Sequence, residues 1–165
     1  MIFVALGSNL SGAYSSPEQL LKASLFELGE TGIVPYRVSP FYKTAPIGPS
    51  GQPDYVNAVA AVRCRLAPRA LLNRLHEMEN DFGRQRDIVW GARTLDLDLL
   101  DYHGQIMVQA PVLPHPRLAE RAFVLHPLAD IAPGWRHPQS GRQIADLLAA
   151  LPKRARDGVR LLAAS

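Results

Sequence analysis

Residues 93–100 read RTLDLDLL, a run in which leucine and aspartate alternate from Leu95 to Leu99. Successive side chains of a β-strand point to opposite faces, so this alternation predicts a strand with Leu95, Leu97 and Leu99 on one face and Asp96 and Asp98 on the other. Two carboxylates then look the same way, with Cα atoms roughly 6.7 Å apart, and at an effective dielectric near 20 they repel by about 2.5 kcal/mol. Such a pair needs water or a cation. One reading is a half-buried strand whose polar face is wet. The other is a divalent metal site, since Mg²⁺ takes hard oxygen ligands and is held by one or two carboxylates together with waters and substrate phosphates.

Working outward from this strand, the preceding segment RQRDIVWGA (84–92) reads as a polar loop, and PRALLNRLHEMENDF (68–82) before it reads as a helix. Pro68 opens that helix, Leu71, Leu72, Leu75 and Met78 recur at helical spacing, and Gly83 ends it. Further upstream, YVNAVAAVRCRL (55–66) is extended, APIGPSGQPD (45–54) is a Pro- and Gly-dense loop, and IVPYRVSPFYKT (33–44) reads as one strand. Pro35 and Pro40 confine that strand to an edge or to bulges. The chain begins with a buried strand, MIFVAL, and then SPEQLLKASLFELGE (16–30), where Ser16 is the expected N-cap, Pro17 the first helical residue and Gln19 the far member of a capping box. The order is β-α-β-β-α-β, which predicts an α+β fold with a ferredoxin-like sheet and both helices on one face. PHPRLAERAFVLHPLADIAP (114–133) and SGRQIADLLAALP (140–152) add short C-terminal helices around this core.

The chain has 165 residues, 47% of them apolar, which suits one domain over residues 1–152 followed by a basic tail, 153–165. No apolar run reaches the roughly 18 residues a transmembrane helix requires, and the N-terminus lacks a basic leader, so a soluble cytoplasmic protein away from membranes is expected. Cys64 is the single cysteine, which excludes an internal disulfide and a thiolate zinc cluster. The net charge of +3 resides in the tail: it holds four of the 18 basic and one of the 15 acidic residues, leaving 14 of each in the body. A neutral body argues against nucleic acid as a partner, and a small single domain is expected to be a monomer. The tail is expected to be a solvated terminus.

Other candidates differ in how specific they are. GSNLSGAY (7–14) spaces two glycines as a phosphate-binding loop would, but Ala13 and Tyr14 stand where such a loop needs lysine and a hydroxyl, so it reads as a tight strand-to-helix turn. The five histidines include no H-x-x-x-H or H-x-H, which speaks against a histidine metal site. His115 stands apart because LPHPR holds it between prolines. Arg84, Arg86 and Arg93 precede the two aspartates and Arg121 follows later. Single arginines are commonly just solvated, but here guanidinium groups adjoin metal-type carboxylates, and phosphoryl transfer needs both charge types. Tyr55 and Asn57 alternate onto one face of their strand, where with Phe123 they could receive a flat ring; core packing is the alternative for the aromatics.

Four ordered segments, ALGSN (5–9), FYKTAPIGPSGQPDYVNA (41–58), GRQRDIVWGARTLDLDLL (83–100) and LPHPRLAERAFVLHPL (113–128), resemble the 6-hydroxymethyl-7,8-dihydropterin pyrophosphokinase family over about Ile2 to Leu151. The resemblance implies transfer of pyrophosphate from ATP, as co-substrate, to the pterin hydroxymethyl group with release of AMP, in folate biosynthesis. It implies that Asp96 and Asp98 hold two Mg²⁺ ions, that Arg84 and Arg86 close on the phosphates, and that Arg93, His115 and Arg121 complete a cationic lining. His76, Glu79, Trp90 and Leu99 fall where the family handles nucleotide or frames the loop. The pterin would lie between Tyr55 and Phe123, with Asn57 and backbone groups of Thr44, Ala45 and Ile47 on its polar edge. Two rivals remain at this point: another Mg-dependent small-molecule kinase moving a single phosphoryl group, and a ferredoxin-like RNA-binding module, against which the strand carboxylates and the lack of an RNP-like pattern both speak.

Overall fold

The computed structural model describes residues 1–46, 51–83 and 94–163. Its spine is three long antiparallel strands, β1 (Ile2–Ser8), β4 (Tyr55–Arg63) and β5 (Asp96–Tyr102), with β1 between the other two. Two shorter strands, β2 (Val34–Val38) and β3 (Tyr42–Thr44), share the far edge of β4, and β6 (Val159–Leu161) pairs with β3. The sheet runs β5-β1-β4-β3-β6, with β2 beside β4. Every pairing is antiparallel.

Helices α1 (Pro17–Glu30) and α2 (Pro68–Asp81) cover one face, where Leu20, Leu21, Leu28, Leu71 and Leu75 meet Val4, Leu6, Ala60, Leu97 and Leu99 in one cluster. Each leucine so removed from water contributes about 1.5–3 kcal/mol. The expected helix start is present: the Ser16 side chain accepts the Gln19 backbone N–H at 3.1 Å and Pro17 takes the first helical place. Gly83, just past α2, has φ +84°, the left-handed cap position that glycine tolerates best. The other face is covered by α3 (Ala122–Ile131) and α4 (Ile144–Ala150), whose Val124, Leu125, Leu128 and Leu147 pack on Phe3, Val59, Ala61 and Leu100. β4 is consequently buried on both faces from Val56 to Val62.

Two expectations from the sequence are corrected. Residues 33–44 do not form one strand but two, β2 and β3, broken at Ser39–Phe41. Pro40 has no N–H for the ladder, and Ser39 bridges the gap, donating its N–H to the Val59 carbonyl at 2.9 Å while its Oγ accepts the Val59 N–H at 3.0 Å. The chain after Pro152 is not simply a solvated tail. The charged stretch Lys153–Asp157 forms an exposed helix, α5, but Val159–Leu161 returns as β6 and Leu162 packs against the α1/α2 core. Its β-branched and leucine residues were outweighed in the sequence by the basic charges around them.

Candidate active site

The register of the central strands lines up Asp96, Gly7, Asn57 and Tyr42 in one row, since Gly7 pairs with Asp96 on one side and Asn57 on the other, and Asn57 with Tyr42. With neighbouring strands about 4.8 Å apart, Asp96 and Asn57 stand roughly 10 Å from each other across Gly7. Above this row lies a cavity of about 590 Å³. Thr44 and Ala45 from the end of β3, Tyr55 and Asn57 from β4, Asp96 and Asp98 from β5 and His115, Arg121 and Phe123 from the start of the α3 layer all line it. Leu95, Leu97 and Leu99, which alternate with the aspartates, point to the α1/α2 core instead, as the alternation predicts.

Asn57 is nearly buried, and its Nδ2 donates to Thr44 Oγ1 at 2.8 Å, which fixes the amide plane. Its Oδ1 lies toward Gly7, where an added Cβ would come within 3.0 Å of it. The absence of a side chain at Gly7 therefore seats Asn57 and keeps the cavity floor open. On the opposite side, Arg121 Nη1 is 3.5 Å from Asp98 Oδ2, and its guanidinium lies 5.6 Å from the Phe123 ring centroid. Both partners of that ion pair keep some exposure to water, so it is easily exchanged for another charge.

His115 is half-buried, and its Nδ1 accepts the Arg117 backbone N–H at 3.2 Å. The ring proton then resides on Nε2, making the imidazole a neutral donor. Its pKa falls to about 4, first through burial and then through the positive charge of Arg121, with Asp96 pulling the other way and Arg117 adding to the depression.

The donor chemistry suits magnesium. Asp96 and Asp98 offer carboxylate oxygens only, and among the described residues no group of three His, Cys, Asp or Glu side chains could enclose a metal. A cation held by two carboxylates must complete its shell with water and phosphate oxygens, which is the habit of Mg²⁺.

Not every expected residue joins the cavity. Leu99 has its side chain in the α1/α2 core, Glu79 is fully buried on α2, and neither Glu79 nor His76 lines the cavity. Leu99 could serve a ligand only through its backbone. Ile47, Arg84, Arg86, Trp90 and Arg93 lie outside the described residues. Arg117 and Glu120 line the cavity without having been singled out from the sequence, and Gly7, read there as opening a tight turn, lies inside β1 and lines it as well. A glycine inside a strand is a signal of close approach that could have found Gly7; Arg117 and Glu120 carried none. A second cavity, of about 680 Å³, opens between α1 and α2 and contains none of the expected site residues.

Comparison with known sequences is decisive at this point: the family described as 7,8-dihydro-6-hydroxymethylpterin-pyrophosphokinase (HPPK) matches residues 3–133. The chain belongs to that family. It is 48% identical over 156 residues to 2-amino-4-hydroxy-6-hydroxymethyldihydropteridine pyrophosphokinase of Pseudomonas aeruginosa, covering 92% of this chain and 91% of that one. The protein of the same name from Haemophilus influenzae is 43% identical over 139 residues, 84% of this chain and 85% of its own. A folate synthesis bifunctional protein, mitochondrial, of Arabidopsis thaliana is 38% identical over 132 residues, 79% of this chain but 23% of its own length. This HPPK is thus a diphosphotransferase of folate biosynthesis, with ATP and a pterin as its substrates.

Proposed function

We propose that this HPPK joins its two substrates across the row Asp96–Gly7–Asn57, with the pterin on the Asn57 side and the triphosphate on the Asp96 side. The hydroxymethyl oxygen of the pterin attacks the β-phosphorus of ATP, the bond from that phosphorus to the α-phosphate oxygen breaks, AMP leaves, and the hydroxyl proton passes to solvent. The observation that supports this reading most is that one cavity is lined both by the paired carboxylates and by Tyr55, Asn57 and Phe123, with Asp96 and Asn57 on either side of Gly7. The ring stacks between Tyr55 and Phe123 and presents its amide edge to Asn57, Thr44 and Ala45. His115, through its Nε2–H, and Arg121 hold phosphate oxygens.

Asp96 and Asp98 would hold two Mg²⁺ ions in this reading, beside the Arg121 guanidinium that contacts Asp98. Magnesium there would neutralise the triphosphate and lower the pKa of the attacking hydroxyl. Arg84, Arg86 and Arg93 act on the phosphates, Ile47 on the pterin edge, Trp90, His76 and the Leu99 backbone on the nucleotide side, and Glu79, buried on α2, frames the loop that follows. The sheet order supports a ferredoxin-like reading of the fold, with β2 and β3 together filling one strand place. Among the described residues no helix is long and apolar enough to cross a membrane. A cytoplasmic monomer binding no nucleic acid completes the proposal.

Incubation with ATP and the pterin separates this reaction from single phosphoryl transfer. AMP should appear in step with pterin consumption, and ADP in its place would overturn the proposal.

A further inference from the structure

The C-terminal strand lies outside the span matched by the family, residues 3–133, yet it is built into the sheet next to the pterin end of the cavity. β3 is only three residues long and carries Thr44, whose Oγ1 receives the Asn57 amide at 2.8 Å. On one edge β3 pairs with β4, Thr44 opposite Tyr55 and Tyr42 opposite Asn57. On its other edge it pairs with β6, Thr44 opposite Val159, Lys43 opposite Arg160 and Tyr42 opposite Leu161. The ladder continues one step further, with the Leu162 N–H donating to the Phe41 carbonyl at 2.8 Å. In an antiparallel pair alternate residues direct their backbone groups to opposite neighbours, so Phe41 and Lys43 face β6 while Tyr42 and Thr44 face β4. Without β6, a three-residue strand would be left as the sheet edge, with half of its backbone groups returned to water and its end free to fray. The Tyr42 hydroxyl also donates to Asp130 of α3, the helix that carries Phe123. That bond is exposed and cannot replace the ladder.

We infer that β6 is a positioning element of the pterin subsite: by pairing with β3 it holds Thr44 in the place from which its hydroxyl fixes the Asn57 amide. This rests on the proposed location of the pterin. The element touches no substrate and acts through Thr44.

A proline scan in the full chain tests it. Leu162→Pro deletes the N–H given to Phe41 and also trims a side chain packed on the α1/α2 core, whereas Leu161→Pro removes an N–H that points away from β3, at a residue 63% exposed on the sheet edge. Leu162→Pro should raise the KM for the pterin about fivefold or more, the equivalent of one net hydrogen bond, and leave the KM for ATP within about twofold. Leu161→Pro should change neither. In a Thr44→Ala background Leu162→Pro should add almost nothing, because both act through the same contact. Should Leu162→Pro fail to fold, Arg160→Gly keeps every N–H and only loosens the strand, and it should shift the two KM values apart in the same direction. Equal changes for ATP and pterin, an additive double variant, or no change in either foldable variant would overturn the inference. Tyr55→Ala separates the two levels. If it leaves the pterin KM unaltered, the pterin placement is wrong; if it raises that KM while the β6 variants do not, β6 has no positioning role.

Discussion

Strand β5 carries three aspartates in seven residues, and their surroundings are opposite. Asp96 and Asp98 are half-exposed, line the cavity and face His115 and Arg121. Asp101 is 4% exposed, with its Oδ2 accepting the Trp135 indole N–H at 2.8 Å and its Oδ1 the Gly104 N–H at 2.9 Å. Strict alternation would send Asp101 to the leucine side of the strand. A register shift opposite Phe3 and Val4 adds one residue to β5, so that Phe3 pairs with Asp101 and Val4 with Leu99, and Asp101 turns toward Trp135 and the α3/α4 layer. The same residue type is thus available to ligands before the bulge and locked into the scaffold after it.

The largest expected effect separates these two groups by what they damage. Asp96→Ala and Asp98→Ala should each lower kcat by about 10³-fold or more at saturating Mg²⁺, because removing charge stabilisation at a developing phosphoryl transition state costs several kcal/mol. Their urea midpoints should move little, since a half-exposed carboxylate contributes little to the core. A variant at either position with near-normal turnover would place the metal elsewhere.

Asp101→Ala should invert the pattern. It leaves the buried indole N–H and the Gly104 N–H without their acceptor, at about 1–3 kcal/mol for each unpaired group, while turnover per folded molecule stays near normal. Chemical denaturation beside active-site titration reads both quantities. Loss of turnover without loss of stability would mean that Asp101 belongs with the cavity pair after all.

The comparison also marks where the sequence was legible. The paired carboxylates, the two helices on one face, the Ser16 cap and the shared face of Tyr55 and Asn57 follow from periods of 2 and 3.6 residues and from side-chain capping chemistry, all local properties. The bulge before Asp101 and the return of β6 depend on which strands meet, and no window of a few residues contains that information, whereas the break at Pro40 had its local mark in a residue without an N–H. The side chains of Glu79 and Leu99 are buried away from the cavity, a placement that position in a motif does not convey.

A smaller effect sharpens the contrast across the row. Gly7 pairs with both Asp96 and Asn57, so a methyl group there tests which end it serves. Its φ is not in the left-handed region, so Gly7→Ala adds no backbone strain and should fold, with any loss of stability coming only from its contact with Asn57. Its Cβ would press on Asn57 Oδ1 at 3.0 Å, and the pterin KM should rise about tenfold, since small misplacements near a reacting group carry large costs. Asn57→Ala should raise the same constant and also blur discrimination among related rings. Equal losses for ATP and pterin by calorimetry would show that Gly7 serves the whole floor.

The smallest effect expected concerns His115, which lines the cavity beside the carboxylates and the arginines. Its folded pKa of about 4 lies below the value near 6.5 of an unfolded histidine. Above pH 6.5 the ring is neutral in both states and its contribution to stability is complete. As the pH falls from 6.5 toward 4 the unfolded chain takes up a proton that the folded one refuses, so stability must decline across that window. Burial, Arg121 and Arg117 set this direction against the opposing pull of Asp96. Because the ring is only half-buried, solvent screening should hold the effect below about 1 kcal/mol. His137, whose pKa is also lowered by burial, adds a slope of the same sign, so the measurement is a difference between two proteins. His115→Gln keeps a side-chain donor without a titrating ring. Urea unfolding at pH 7.5, 6, 5 and 4.5 should show the parent losing stability relative to His115→Gln as the pH falls. A flat difference would mean that the ring protonates freely in the folded state, and a rising one that Asp96, not the arginines and the burial, governs it.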